Sequence, residues 1–275
     1  MTDTLTFDRF TPAHLEGALR LSREAGWPHR MEDWRLVLQI SQGVVALDGG
    51  DVVGTALATP FGPVAMANMI IVDARMRGRG LGRRLMDRMM AGVDVPEWRL
   101  VATVEGKPLY EKLGFRETGH ILQHQGIVGR HAMPDGVEWA SPADLPAIAA
   151  LDKQATGADR GTLIARLMTE GRIAVIRTGA TLTGFAALRA FGRGEVIGPV
   201  IADSLDAAQR LLSFFFAQRA GAFLRVDTTA AAGLAPWLTA QGLASVGGGV
   251  AMRRGDATAA PPSATVFALA AQALG

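Results

Sequence analysis

Three glycines and a set of arginines fall together at Arg77-Gly78-Arg79-Gly80-Leu81-Gly82, between an apolar stretch, Met69 to Val72, and an amphipathic run, Arg83 to Met90. Glycine lacks the Cβ atom that keeps a ligand off the backbone, and it reaches dihedrals that other residues resist. Successive N–H groups of such a turn can point into one concavity. A helix opening at about Leu81 adds its own unpaired N–H groups and the positive end of its dipole. Arg75, Arg77, Arg79, Arg83 and Arg84 surround the turn and can make charge-assisted, bidentate contacts to phosphate oxygens. The pattern therefore suits a phosphate or pyrophosphate. Spacing excludes two familiar phosphate loops. A Walker loop needs Gly-Lys-Ser/Thr at its end, and no lysine follows Gly82. The dinucleotide fingerprint needs a third glycine three residues past the second, where Arg83 or Leu85 stands.

Other residue types bound the chemistry further. The chain has no cysteine, which excludes disulfides, thiol catalysis and cysteine-ligated metal. His120 and His124 are four apart, a metal-pair spacing on a helix, but they fall in an expected strand with no third ligand, so they read as strand polar residues and no metal is expected. Asp159-Arg160, ahead of a helical run from Thr162 to Met168, reads as a cap and an ion pair near the junction of the two halves. Net charge is only +2, which argues against a nucleic-acid binder, although the Arg-Gly-Arg-Gly turn alone would suit one with salt-dependent affinity. No apolar run reaches about 18 residues, and Met1 to Thr4 shows no signal segment. A soluble cytoplasmic protein without a membrane anchor is expected.

The elements that must position the turn can be read from pattern and punctuation. At 275 residues, nearly half of them apolar and a fifth charged, the chain suits two globular domains. Phe7 to Phe10 forms a first strand. Thr11-Pro12 then opens a helix that carries Leu15, Ala18, Leu19 and Ser22 on one face and stops at Gly26. A second helix is expected over Glu32 to Ser41. Val44 to Leu47 and Val52 to Leu57 flank Asp48-Gly49-Gly50-Asp51, a hairpin signal. Val64 to Val72 is the strand that feeds the turn, and Leu81, Leu85 and Met89 line one face of the helix after it. Trp98 to Val104 is the next strand, Pro108 to Leu113 a short helix stopped by Gly114, and Phe115 opens another strand.

Three pieces in order, the strand Met69 to Val72, the loop with Arg77, Gly80 and Gly82, and Tyr110-Glu111-Lys112-Leu113-Gly114-Phe115, resemble the GNAT acetyltransferase superfamily. Its acyl-coenzyme A loop reads Arg/Gln-x-x-Gly-x-Gly/Ala and is followed downstream by Tyr-x-x-x-Gly-Phe. The resemblance implies acetyl-CoA as co-substrate and a primary amine as acceptor. It implies that strand residues Ile70, Ile71 and Val72 contact the acetyl and pantetheine portion, and that Arg77, Gly78, Arg79, Gly80, Leu81, Gly82 and Arg83 hold the pyrophosphate. It places Tyr110 as the donor to the departing thiolate. The family's usual asparagine after the next strand is replaced near Thr103, and its glutamate on the strand before the loop has no counterpart in Val64 to Met69. Glu105 is the first candidate for the general base, with Glu32, Asp33 and His29 behind it, and a relay through water to solvent is the other route.

The second half repeats the first without its ligand loop. Ser141-Pro142-Ala143-Asp144-Leu145 mirrors Thr11-Pro12-Ala13-His14-Leu15, and Glu195 to Ile201 followed by Leu205 to Gln218 mirrors the strand and helix around the arginine turn. Between them stands Ala202-Asp203-Ser204-Leu205-Asp206, with two carboxylates and no glycine. Leu238 falls where Tyr110 would be. The expectation is an α+β (α/β/α) protein of two tandem GNAT-like domains, each a mixed, mostly antiparallel sheet flanked by helices: residues 1–133 active, 134–256 degenerate, and 257–275 a linker with an apolar end. That end, Ala264 to Leu274, should dock on the body, with a sheet edge as one option. The expected activity is acetyl transfer to a small-molecule amine by direct attack in a ternary complex. A protein amine as acceptor and an idle acyl-CoA binding module are the alternatives, and both monomer and homodimer remain open.

Overall fold

The computed structural model describes residues 5–256 and 264–275; Met1 to Thr4, and the linker centred on Pro261-Pro262, lie outside the described residues. The first half runs β1 (Leu5–Arg9), α1 (Leu15–Glu24), α2 (Met31–Gln39), β2 (Gln42–Asp48), β3 (Asp51–Phe61), β4 (Val64–Val72), α3 (Leu81–Ala91), β5 (Glu97–Ala102), α4 (Lys107–Lys112) and β6 (Arg116–Ile127). The second half repeats that order. It comprises β7 (Val137–Trp139), α5 (Leu145–Thr156), α6 (Gly161–Glu170), β8 (Arg172–Thr178), β9 (Thr181–Phe191), β10 (Gly194–Ala202), α7 (Leu205–Gln218), β11 (Phe223–Thr229), α8 (Ala235–Ala240) and β12 (Ala244–Gly255), and a final β13 (Thr265–Ala268) follows. The hairpin at Asp48 to Asp51 and the helix over Leu205 to Gln218 form where the sequence places them. The strand expected to reach Val104 stops at Ala102, because the Thr103 hydroxyl accepts the Gly106 N–H and turns the chain toward α4.

The two halves share one sheet, of order β1-β2-β3-β4-β5-β12-β6-β11-β13-β10-β9-β8-β7. Each half lends its last long strand to the other. β6 pairs with β11 from Ile127↔Phe223 to Ile121↔Thr229, and β12 lies between β5 and β6, with Val250 opposite both Ala102 and His120. Helices cover both faces. Apolar residues of α1, α2, α5 and α6 form one layer, those of α3 pack on the other face of the first half, and those of α7 and α8 do so in the second half.

The terminal apolar segment docks, but in the sheet interior rather than at an edge, since the edges are β1 and β7. β13 pairs with Val200, Ile201 and Ala202 of β10 and with Thr228 of β11. Residues 269–275 then cross the face under α1, α2, α5 and α6. Asn68 Nδ2 donates to the Ala273 carbonyl at 2.9 Å, and Gln272 Nε2 to Asp227 at 3.0 Å. Arg160 makes the expected ion pair, with the buried Asp152 at 2.6 Å, and also donates to the Leu274 and Gly275 carbonyls.

That ion pair has a measurable consequence. Arg160→Met strands the Asp152 carboxylate in the interior and is expected to lower the unfolding free energy by about 3–5 kcal/mol. Urea unfolding checks this, and the double variant Asp152→Leu/Arg160→Met should recover most of the loss because no buried charge is left.

Candidate active site

The site begins where two strands part. β4 pairs in parallel with β5 only from Val64 to Met66, opposite Glu97 to Arg99, and the strands diverge beyond. At the same place β4 carries a bulge: Thr55 of β3 stands opposite Ile71, but Leu57 stands opposite Asn68, so Met69 and Ile70 face one residue. Met69 takes φ +48°, costly for a side chain with a Cβ, and its carbonyl accepts the Thr55 hydroxyl at 2.6 Å. The bulge also reverses the facing of the strand. Met66 and Met69 both lie in the α1/α2 layer, while Ile70 and Val72 turn to the α3 side. Ile70 and Val72 therefore face the α3 side of the sheet, while Ile71 packs in the α1/α2 layer.

Asp73 closes the strand into that turn. Its N–H donates to the Val53 carbonyl at 2.9 Å, and its carboxylate accepts the Arg75 N–H at 2.9 Å and the Arg75 guanidinium at 2.8 Å. The Arg75 hydrogen bond, against the opposing effect of burial, brings the Asp73 carboxyl down to about 2. Gly78 and Gly80 then sit at φ +75° and +72° with open space around them. Arg84 N–H reaches the Gly80 carbonyl at 3.1 Å and starts α3, which has no side-chain cap, so its first-turn N–H groups face the opening. Gly82 is needed for a different reason. A Cβ there would lie 3.2 Å from Leu109 of α4, so the loop packs directly on the helix that carries Tyr110.

The five arginines divide. Arg75 is committed to Asp73, and Arg84 lies over the Phe7 ring at 4.6 Å beside Arg88. Arg83 is 3.6 Å from Asp87. Arg77 and Arg79 have no ion pair among the described residues and remain exposed at the mouth of the turn. Tyr110 is buried with its ring edge-on to Phe115 at 6.1 Å, and burial pushes its phenol up to about 12. Its hydroxyl makes no hydrogen bond among the described residues.

The base candidates scatter. Glu105 is exposed, and hydrogen bonds from its own backbone and from Thr103, with the Arg77 charge beside it, hold its carboxyl below the usual range. Burial works to raise Asp33, but hydrogen bonds from Arg30 and Gly192 and the charge of Arg189 outweigh it, so Asp33 is a committed anion. Burial takes His29 down to about 4, with Asp33 opposing and Arg225 and Arg189 reinforcing. Glu32 is exposed on α2.

The second half keeps the wedge and closes it. β10 pairs with β11 only at Glu195 and Val196, and β13 fills the gap beyond, where the Thr228 hydroxyl donates to the Phe267 carbonyl at 2.6 Å. Ser204 caps α7 with its own hydroxyl on the Ala207 N–H at 3.2 Å, and the buried Leu238 stands on α8 as Tyr110 does on α4. His120 and His124 lie on β6, and among the described residues no group of three or more such side chains could hold a metal. Among the described residues no helix is long and apolar enough to cross a membrane. A groove of about 540 Å³ lined by Arg9, Phe10, Arg35 and Leu38 shares no residue with the wedge or the turn. The sequence reading missed the Met69 bulge and its Thr55 anchor; the signal for it was a pair of threonines, Thr55 and Thr59, inside an otherwise apolar stretch of β3.

Comparison with known proteins agrees with this architecture. Two family models, each described as an acetyltransferase (GNAT) domain, match residues 39–117 and 148–268. The uncharacterized N-acetyltransferase YitH of Bacillus subtilis is 29% identical over 223 residues, 78% of each chain. A Pyrococcus horikoshii structure assigned to the acetyltransferases superposes over 100% of this chain and 97% of its own, with a TM-score of 0.85 at 21% identity. A GCN5-related N-acetyltransferase from Sphaerobacter thermophilus does so over 96% and 99%, at 0.63 and 19%.

The bulge can be tested directly. Thr55→Val removes the hydroxyl that holds the Met69 carbonyl and is expected to cost about 1–3 kcal/mol of stability, while Thr55→Ser stays near wild type. Chemical denaturation of both variants measures the difference.

Proposed function

Because the chain belongs to the GNAT acetyltransferase superfamily and carries two of its domains in tandem, we propose that its first half transfers the acetyl group of acetyl-CoA to a primary amine by direct attack in a ternary complex. The observation that carries this reading is the contrast between the wedges. In the second half a peptide strand fills the gap between β10 and β11; in the first half no described strand pairs between β4 and β5 beyond Met66, where the terminal residues reach β4 through the Asn68 side chain, and β4 leads on to the Arg77 to Gly82 turn. An extended ligand with amide groups along its length and a pyrophosphate at its end fits both features.

On this reading the N–H groups from Gly78 to Arg83, with Arg77 and Arg79, hold the pyrophosphate, and the open edge of Ile70, Ile71 and Val72 holds the pantetheine arm and acetyl group. A backbone N–H freed by the bulge stabilises the carbonyl oxygen as charge develops there. The nitrogen lone pair forms the new bond to the acetyl carbon, and the carbon–sulfur bond breaks. The Tyr110 phenol, protonated at any physiological pH, donates to the leaving sulfur. Glu105 is the proposed first proton acceptor. Its full exposure and lowered pKa make it a weak base, so the proton passes through it to solvent. The acceptor is read as a small molecule carrying the amine, and the protein as cytoplasmic.

Acetyl-CoA titration by calorimetry tests the coenzyme site. Wild type should bind, and Gly80→Glu, which sets a carboxylate in the anion concavity at a left-handed backbone position, should lose at least about tenfold in affinity. Absence of binding by wild type would overturn the reading. Tyr110→Phe should bind acetyl-CoA normally and turn over about 10–100-fold more slowly in a thiol-release assay with an amine panel; equal turnover would remove Tyr110 from the chemistry. Because the phenol stays protonated up to about 12, kcat/KM should climb with pH as the amine loses its proton and should show no falling limb near pH 10.

A further inference from the structure

A second charged constellation lies at the seam of the two halves, outside the wedge and the turn. The loop between α1 and α2 brings Pro28, His29 and Arg30 against the β9–β10 hairpin and β11. Arg189 is buried, 3.3 Å from Asp33, and its Nε has no partner. Arg225 spends Nε and Nη2 on the buried Asp227. Both guanidiniums flank the Phe191 ring, at 4.9 and 5.1 Å. Arg193, exposed beside them, has no ion pair among the described residues. Four guanidiniums, those of Arg30, Arg189, Arg193 and Arg225, stand at the seam with the buried Asp33 and Asp227, while Glu32 and Glu170 act on Arg30 and Arg189 from farther off. Burial lowers the proton affinity of His29, Asp33 opposes it, and Arg225 and Arg189 add to it.

Of these charged residues, Arg193 and Arg225 line a small cavity of about 10 Å³, together with Pro28, Gln125, Phe191, Gly192 and Phe223. This is room for one water-sized group, the end of a ligand rather than a whole one. A crevice between an exposed arginine that has no ion pair and a buried one, close to a buried guanidinium with an unused N–H, can take an added anion.

We propose that this crevice is an anion subsite for the acceptor, taking its carboxylate or phosphate between Arg193 and Arg225. The assignment to an acceptor rests on the acetyltransferase reading; the anion site itself does not. β11 is three places from β5 in the sheet, about 14 Å across the strands, and Arg225 stands opposite Gln125 while Ala102 is in line with His120, which adds about 16 Å along them. The acceptor is therefore an extended amine whose anionic group lies far from its reacting nitrogen, such as an acidic peptide-sized molecule rather than a simple amino acid.

Calorimetric titration with glutarate and with inorganic phosphate tests it on wild type, Arg193→Gln and Arg225→Gln. One anion should bind saturably, and both variants should weaken it by at least about tenfold, the worth of one charge-assisted contact. The anion that binds tells carboxylate from phosphate. Arg225→Gln leaves Asp227 buried with Gln272 as its remaining partner; Arg193→Gln, at an exposed position, keeps the test valid if that variant does not fold. Gly80→Glu should leave the affinity unchanged, which separates this site from the arginine turn. No saturable binding of either anion, or equal affinity in wild type and Arg193→Gln, overturns the proposal. Loss of acetyl-CoA binding by wild type would sink the coenzyme reading alone and leave the anion result standing.

Discussion

A strand that turns away from its neighbour leaves backbone N–H and C=O groups that must find another partner, at a cost of about 1–3 kcal/mol for each left unmet away from water. This chain meets that constraint twice. β10 and β11 part after two residue pairs, and β13 enters between them. β4 and β5 part after three pairs, and the described residues supply no strand. The same geometry thus has two outcomes, one satisfied by the chain and one left for solvent or a ligand. The residues around each wedge agree with its outcome. The open one leads to glycines at positive φ and unpaired arginines, the filled one to a self-capped helix and two aspartates.

The exchange of β6 and β12 explains why a half with a closed wedge still matters. β12 is the strand beside β5, so the second half supplies the sheet that backs the first wedge. Residues 269–275 then tie Asn68 of β4 to Asp227 of β11 through Ala273 and Gln272. Loss of either half would leave the other with a sheet missing its last strand. Division at residues 133 and 134 describes the order of the chain, while the folded units interlock across it.

The repeat, the hairpins, the amphipathic helices and the loop were legible because each rests on local rules: periodicity, glycine at turns, proline at helix starts. The conformation of the Arg77 to Gly82 turn could be read for the same reason, since its left-handed glycines and the helix start after them are set by contiguous residues. The strand exchange could not be. β12 and β6 carry the same kind of pattern whichever neighbour they pair with, and partner choice is decided by long-range assembly. Ala264 to Leu274 showed that it must be buried but not where, because an apolar run does not name its slot. The seam did leave a trace: Leu224-Arg225-Val226-Asp227 alternates charge with apolar residues in a strand that should be buried on both faces, a pattern that requires partners from elsewhere.

The two ends of the proposed reaction are built to different standards, and the fold accounts for it. The donor end is buried and rigid: Gly82 packs on Leu109, Gly106 on the Tyr110 ring, and Tyr110 on Phe115, so the phenol is held protonated in an apolar setting. The proton-accepting end has no such scaffold, because Glu105 lies in solvent and Asp33 and His29 are bound into the seam. On the proposed reading the coenzyme is handled by residues of one half, within close contacts of Gly82 with Leu109 and of Gly106 with Tyr110. The seam is lined by residues of both halves, several of them at loop positions. The seam residues on β9, β10 and β11 are separate from those of the turn and of α4, so on the proposed reading substitutions there are free to act on the acceptor without touching the residues assigned to the coenzyme.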